Sequence, residues 1–128
     1  YMLSVAIAVD GNDKVHLVYS NNAGELKYAS DATGAWSSEV LEDEGGPNHA
    51  SLALDSAGRT HVSYTDGRYG GELRYLTNAS GTWRMALVDS ADYDNGGGLA
   101  DTAIAVDRQG NAHIAYYGGT ALRYATNR

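Results

Sequence analysis

The chain repeats one sequence pattern three times, and this repeat limits the possible folds more than any other feature. The copies open with Ala-Ile-Ala-Val-Asp at 6–10, Ser-Leu-Ala-Leu-Asp at 51–55 and Ala-Ile-Ala-Val-Asp at 103–107. Their Asp residues are 45 and then 52 residues apart. A period of roughly 40 to 50 residues is typical of arrays that set one four-stranded sheet beside the next. We therefore expect a row of similar small sheets.

Each copy carries further landmarks at fixed distances from its Asp. A His follows after six residues, a Tyr three residues later, then a Leu-Lys/Arg-Tyr segment, and in two copies a Gly-x-Trp segment. The landmarks are Asp10, His16, Tyr19, Tyr28 and Trp36 in the first copy, Asp55, His61, Tyr64, Tyr75 and Trp83 in the second, and Asp107, His113, Tyr116 and Tyr124 in the third. The third copy reaches Arg128 without a Gly-x-Trp segment.

Apolar residues alternate with small or polar ones inside each copy, which indicates strands and no helix. The predicted strands are A at 4–10, 50–55 and 102–107; B at 14–20, 59–65 and 111–117; C at 25–30, 72–77 and 121–126; and D at 35–41 and 82–89. The segments 11–13, 56–58 and 108–110 separate strands A and B and predict tight hairpins. In these hairpins Asp caps the turn and Gly or Asn takes a positive φ.

Taken together, the Ala-Ile-Ala-Val-Asp, His-x-x-Tyr, Leu-Lys/Arg-Tyr-Ala and Gly-x-Trp segments resemble bacterial β-propeller repeats of secreted or surface proteins. The similarity to NHL and Asp-box (sialidase-type) blades is looser. The resemblance covers nearly the whole chain and implies an all-β fold, with 1–128 as a single propeller segment of antiparallel blades. Two blades, at about 4–41 and 50–89, have four strands, and a third at about 102–128 lacks its outer strand. It also implies an extracellular or cell-surface location.

A closed propeller needs about four to eight blades, so this segment is incomplete unless it is assembled with others. An open segment would leave apolar blade faces and a strand edge uncovered. We therefore expect a partner for these surfaces. The partner is either the chain itself, in a homo-oligomer, or further blades of a longer chain.

Composition removes several function classes. There are 16 acidic and 9 basic residues, a net charge of −7 and no Lys/Arg-rich run, which argues against nucleic acid as a partner. The chain has no Cys, so it has neither a disulfide framework nor a thiolate metal site. No apolar run approaches the roughly 20 residues that span a bilayer, so no membrane span is expected.

The repeated polar residues are interpreted as architecture, because each recurs at one place in its copy. We expect the three His to form hairpin or interblade hydrogen bonds, and the two Trp to pack between blades. Lys27, Arg74 and Arg123 are expected to pair with acidic neighbours on adjacent strands. The arginines are not gathered as in a sialidase, and no nucleophile elbow or metalloprotease motif is present. The prediction is that the chain is not an enzyme.

The B-to-C and D-to-A connections differ in length between copies and emerge on one face of a propeller. Loops that escape structural constraint are where binding residues are usually built. The candidate ligand-binding residues on or beside these loops are Asp66, Arg68, Tyr69, Tyr93, Asp94, Asn95 and Tyr117. We expect a noncatalytic module that recognises a glycan or a protein. The alternatives are a structural building block of an oligomeric ring or filament, and a fragment of a glycoside hydrolase.

One loop also resembles part of a calcium site, since Asp92-x-Asp94 is followed by glycines. Carboxylates that share one hard cation must lie close together, which this spacing allows. The candidate metal ligands are Asp89, Asp92 and Asp94, although the ligand ladder and terminal Glu of an EF-hand are missing. The other interpretation is a solvated acidic loop, and no further cofactor is expected.

Overall fold

The computed structural model describes residues 3–67, 71–91 and 97–128. Within these ranges the chain forms three antiparallel sheets and no helix. The first sheet contains β1 (Val5–Val9), β2 (Val15–Ser20), β3 (Leu26–Ser30) and β4 (Ser37–Glu42). The middle sheet contains β5 (Pro47–Leu54), β6 (Thr60–Asp66), β7 (Glu72–Thr77) and β8 (Arg84–Ser90). The third contains β9 (Leu99–Val106), β10 (Ala112–Gly118) and β11 (Ala121–Thr126).

Each sheet is a simple meander in which every strand pairs with its neighbours along the chain. The prediction of an all-β chain with antiparallel sheets of four, four and three strands is therefore confirmed for the described residues. Strands β5 and β9 begin earlier than expected, at Pro47 and Leu99, because each continues past a shift in register. His49 and Asp101 lie at these shifts with φ of 51° and 44°. Such bulges interrupt the period-two pattern that located the strands.

The first hairpin of each sheet is closed by its repeat Asp. In the first sheet, Asp10 Oδ1 accepts hydrogen bonds from the backbone amides of Asn12 and Lys14, at 2.8 and 3.0 Å. Asp55 and Asp107 do the same in their own turns, which confirms the predicted caps. Gly58 and Gly110 take the expected positive φ, but in the first turn the residue with φ of 59° is Asp13 and not Gly or Asn.

The sheets pack face against face in chain order. Strand β5 contacts β1 on one side and β9 on the other. We call the contact between the first and middle sheets joint 1, and that between the middle and third sheets joint 2. The core of joint 1 contains Val18 and Leu26 of the first sheet with Val62, Tyr64 and Leu76 of the middle sheet. The core of joint 2 contains Leu73 of the middle sheet with Leu99, Ile114 and Tyr116 of the third.

Polar bonds between the innermost strands fix the sheets relative to each other. At joint 2 the amide of Ile104 on β9 donates to Ser51 Oγ on β5 at 3.2 Å, and the hydroxyls of Thr102 on β9 and Ser63 on the adjacent β6 lie 2.7 Å apart. At joint 1 the amide of Ala50 on β5 donates to Ser4 Oγ, just before β1, at 3.3 Å. Each joint therefore combines an apolar core with hydrogen bonds along its inner edge. The described sheets do not close into a ring. Among the described residues there is no helix long and apolar enough to cross a bilayer.

Two sheet faces remain uncovered at the ends of the row. Leu26 and Leu73 are 0% exposed in joints 1 and 2, whereas the equivalent Leu122 on β11 is 70% exposed. We call its surface the end face; it comprises Ala115, Tyr117, Leu122 and Tyr124. The opposite surface, on the first sheet, we call the start face; it comprises Val5, Ile7, Val9, Leu17, Tyr19 and Trp36.

Candidate functional site

An Asp–His–Tyr triad recurs in each sheet and is the first cluster that could carry chemistry. In the middle sheet His61 Nε2 lies 3.0 Å from Asp55 Oδ2, and His61 Nδ1 lies 2.6 Å from the Tyr75 hydroxyl. A carboxylate only accepts hydrogen bonds, so Nε2 carries the proton and Nδ1 accepts from Tyr75. The same bonds join His16 to Asp10 and Tyr28, and His113 to Asp107 and Tyr124.

The triads hold their carboxylates in the ionised form. The hydrogen bond from His16 lowers the pKa of Asp10, and the bond from His113 lowers that of Asp107. For Asp55 burial alone raises the pKa, but bonds from His61 and the amides of Ala57 and Arg59 outweigh it, so the pKa is lowered. Because each triad ties strand A to strands B and C, it stabilises its own sheet. The expected structural role of the three His is confirmed.

A second recurring cluster bridges neighbouring sheets. At joint 2 the Asp89 carboxylate at the end of β8 accepts from the Tyr116 hydroxyl at 2.8 Å and from Arg123 Nη1 at 2.9 Å. At joint 1 Glu42 occupies the equivalent place and accepts from Arg74 Nη1 at 3.0 Å and Tyr64 Oη at 3.4 Å. We call this Tyr, Arg and acid set the joint node.

Arg74 makes the joint 1 node the more densely charged of the two. Besides Glu42, its guanidinium contacts Glu72 at 2.7 Å on its own strand and Asp66 at 3.1 Å. The expectation that Arg74 pairs with acidic neighbours is confirmed. Sequence reasoning missed the acid contributed by the preceding sheet, since Glu42 and Arg74 are far apart in the chain and only sheet packing brings them together.

Burial sets the proton affinities of the node. It raises the pKa of both Tyr64 and Tyr116 to about 12. Burial likewise raises the pKa of Asp89, but the bonds from Tyr116 and Arg123 outweigh it and leave that pKa lowered. At neutral pH the node therefore holds neutral phenols and an ionised acid, which is an arrangement for binding sheets together.

The predicted binding residues fall into two groups. Arg68, Tyr69, Asp92, Tyr93, Asp94 and Asn95 lie outside the described residues. Of the others, Asp66 is buried at the end of β6 against Arg74, and Asp89 belongs to the joint 2 node. Tyr117 on β10 is 45% exposed and offers its ring to solvent. Asp66 and Asp89 thus bind protein groups, and Tyr117 is the described candidate with accessible surface.

The predicted calcium ligands are divided in the same way. Asp89 is already engaged by Tyr116 and Arg123, while Asp92 and Asp94 are among the residues not described. In the parts of the chain that the structure describes, no group of three His, Asp or Glu side chains is placed to hold a metal ion.

A cleft of about 510 Å³ opens at the outer side of joint 2. Its walls are mostly apolar and include Tyr75, Leu87, Ile114, Tyr124 and Asn127. A volume of this order suits a small ligand, for which roughly 300 to 1,000 Å³ is usual. Sequence reasoning missed this cleft, because it depends on how the middle and third sheets pack.

The equivalent place in joint 1 is filled by Trp83. Its ring packs edge-on against Tyr28 with centroids 5.3 Å apart, and its Nε1 donates to Glu39 at 2.7 Å. The third sheet supplies no such Trp among its described residues. The cleft in joint 2 lies at the place that corresponds to the Trp83 indole in joint 1.

The fold is similar to that of a lectin of known structure. A fucose lectin from Kordia zhangzhouensis, solved in complex with methyl-fucoside, superposes with a TM-score of 0.57. The two sequences are 19% identical, and the match covers 96% of this chain and 91% of the lectin chain. No protein-family model matches the sequence, and no curated protein does either. The comparison establishes a shared fold.

Proposed function

We propose that this chain is a noncatalytic carbohydrate-binding module made of three blades of an incomplete β-propeller, acting outside the cell or at its surface. The proposal rests on one observation, the fold shared with a fucose lectin over nearly the full length of both chains. The row of three meander sheets joined through their first strands agrees with propeller blades.

We place the ligand on the face formed by the B-to-C and D-to-A loops. Tyr117 pairs with Leu122 where the end face meets the B-to-C loop of the third sheet, and it supplies an exposed ring at that border. The loops of the same face contribute Arg68, Tyr69, Tyr93, Asp94 and Asn95 in sequence. Sugars present apolar C–H faces and many hydroxyls, so aromatic rings beside charged and amide groups match their chemistry. The cleft at joint 2 is the competing location, since Tyr75 and Asn127 are among its lining residues.

The experiment is a glycan array on the purified chain, followed by calorimetric titration with methyl-fucoside and the best array ligand. Tyr93→Ala and Tyr117→Ala are expected to weaken binding by about tenfold or more, since each removes an aromatic contact. Ala86→Trp is the matched control, because Ala86 lines the cleft and an indole there would fill it. Loss of binding in Ala86→Trp alone would move the site to the cleft. Failure to bind any glycan would overturn the proposal.

The pKa directions of the described acids agree with the proposed noncatalytic role. Glycoside hydrolysis requires a carboxylic acid whose pKa is raised so that it can donate a proton. The described carboxyl groups with a shifted pKa are all shifted downwards; they are Asp10, Asp55, Asp89 and Asp107. Release of free sugar from a panel of aryl glycosides would contradict this part of the proposal.

Calcium dependence is tested in the same titration. If Asp92 and Asp94 share a cation that shapes the loop, a chelator lowers sugar affinity and added Ca²⁺ restores it. Equal affinity with chelator and with Ca²⁺ would exclude a role for the cation in binding.

A second candidate function is that of a structural building block in a ring or filament. The observation in its favour is the pair of uncovered apolar faces at the ends of the row of sheets. Electron microscopy of the purified chain separates closed rings from filaments and from single modules.

A further inference from the structure

The two uncovered faces are too apolar to be ordinary surface. On the start face, Val5, Ile7 and Val9 form one side of β1 and Ile7 is 65% exposed. On the end face, Leu122 and Tyr124 are exposed side by side on β11. Contiguous apolar surface of this kind marks an interface.

The repeat identifies what fits each face. Leu52 and Ile104 stand at the position of Ile7, and they pack into joints 1 and 2. Leu26 and Leu73 stand at the position of Leu122, and they lie fully buried in the same two joints. The start face therefore carries the side chains with which a sheet packs on the preceding sheet in the chain. The end face carries the side chains with which a sheet packs on the following one.

We propose that two copies of this chain associate head to tail, with the start face of one copy docked on the end face of the other. The occupant is a second copy because the chain itself forms this joint twice between surfaces of the same pattern. In joint 1, Leu26 packs in a core with Leu52 and Val62 of the next sheet. In the new joint, Leu122 of one copy takes the place of Leu26, and Ile7 and Leu17 of the other copy take the places of Leu52 and Val62. The contact is heterologous, so an open assembly keeps one free start face and one free end face, on different copies, until a ring closes.

The joint between copies differs from the internal joints in its charges. Tyr19 and Lys27 occupy the positions of Tyr64 and Arg74, so the first sheet carries half of a joint node. The acid that completes a node comes from the end of strand D of the preceding sheet, as Glu42 and Asp89 do. The third sheet has no such strand among its described residues. In the joint between copies the contact is apolar burial with Trp36, which takes the place against Tyr124 that Trp83 takes against Tyr28.

The first test measures mass in solution by light scattering during size-exclusion chromatography. The wild-type chain is expected at a multiple of its 13.6 kDa monomer mass. Ile7→Asp, on the start face, and Leu122→Asp, on the end face, each put a charge into the joint and should weaken association by about 100-fold, leaving monomers. Both residues are exposed in the single copy, so circular dichroism should show an unchanged fold.

Mixing the two variants tests the head-to-tail geometry. Ile7→Asp keeps a working end face and Leu122→Asp a working start face, so the mixture should form a dimer that neither variant forms alone. Met85→Asp is the matched control, since Met85 is 52% exposed but lies on β8 of the middle sheet, away from both end faces. It should assemble like the wild type.

A second measurement does not depend on charge. The chain has no cysteine, so copies carrying Ile7→Cys and Leu122→Cys contain one thiol each. Under oxidising conditions the mixture should give a disulfide-linked dimer in much higher yield than either variant alone. A wild-type monomer at all concentrations, a single variant that still associates, or a mixture that does not would each overturn the proposal. None of these outcomes depends on sugar binding, so the two proposals fail separately.

Discussion

The buried imidazole of His61 shows how this chain builds a stable interior without phenylalanine. Its two ring nitrogens join a capped turn to a tyrosine on strand C, and both the imidazole and the Asp55 carboxyl group are buried. His61→Ala leaves the buried Asp55 carboxylate without its ring donor, so the free energy of unfolding should fall by about 2 to 4 kcal/mol. His113→Ala, at the more exposed triad, should cost about 1 kcal/mol. Urea titrations of both variants measure the difference, and equal losses would contradict a role set by burial.

The same residues fix the response to acid. Asp10, Asp55, Asp89 and Asp107 have lowered pKa values in the folded chain, so the unfolded chain binds more protons at low pH. The stabilisation is complete above the ordinary Asp value near 4 and is lost as the pH falls through the folded values. The free energy of unfolding should be level from about pH 5 to 7 and decline from pH 4 to 2. Asp55→Asn should have a lower free energy of unfolding at pH 7, and this free energy should fall less steeply between pH 4 and 2 than in the wild type. An equally steep fall would show that acids other than Asp55 cause the loss of stability at low pH.

Among the structural elements, the first hairpin turn differs between copies at one informative residue. Asp13 holds the positive φ that Gly58 and Gly110 hold in the other sheets. A residue with a side chain is strained there, so Asp13→Gly should raise the free energy of unfolding by about 0.5 kcal/mol. Gly58→Ala should lower it by about 1 kcal/mol. Gly46→Ala is the comparison, since its φ is not positive and a Cβ there meets nothing. Thermal unfolding of the three variants checks the order.

At the level of strands and turns, the sequence predicted much of the fold. Strand positions were predictable because Val, Ile and Leu alternate with smaller residues and because Asp and Gly close the turns. The bulges at His49 and Asp101 were not, since a single extra residue leaves the composition of a strand unchanged. The Glu42–Arg74 pair was also missed, because it depends on how two sheets pack and not on the spacing within one.

The candidate site was less predictable than the sheets. Comparing the copies located the loops that vary, but Asp66 and Asp89 lie at the ends of strands, where Arg74 and Arg123 bind them. A carboxylate beside a variable loop has the same sequence signature whether it faces a ligand or an arginine. The cleft beside Tyr75 depends on how the middle and third sheets pack, which the spacing within one copy does not show.

For the whole molecule, association should appear in the stability. A joint that forms only between folded copies shifts the unfolding equilibrium, so the wild-type midpoint should rise with protein concentration. Between about 1 and 100 µM the shift should amount to several degrees, whereas Ile7→Asp should unfold at one temperature throughout. Differential scanning calorimetry over this range makes the measurement. A concentration-independent midpoint in the wild type would show that the end faces stay uncovered.

The separation of the triads from the joint nodes has a consequence for how such a chain can change in length. Every Asp–His–Tyr triad is satisfied inside one sheet, and every node is shared only with the sheet before it. A gene segment encoding one unit can therefore be duplicated or deleted without leaving a buried charge stranded elsewhere. A version with four units, made by copying residues 47–91 in tandem, gains one more joint of a kind that it already makes.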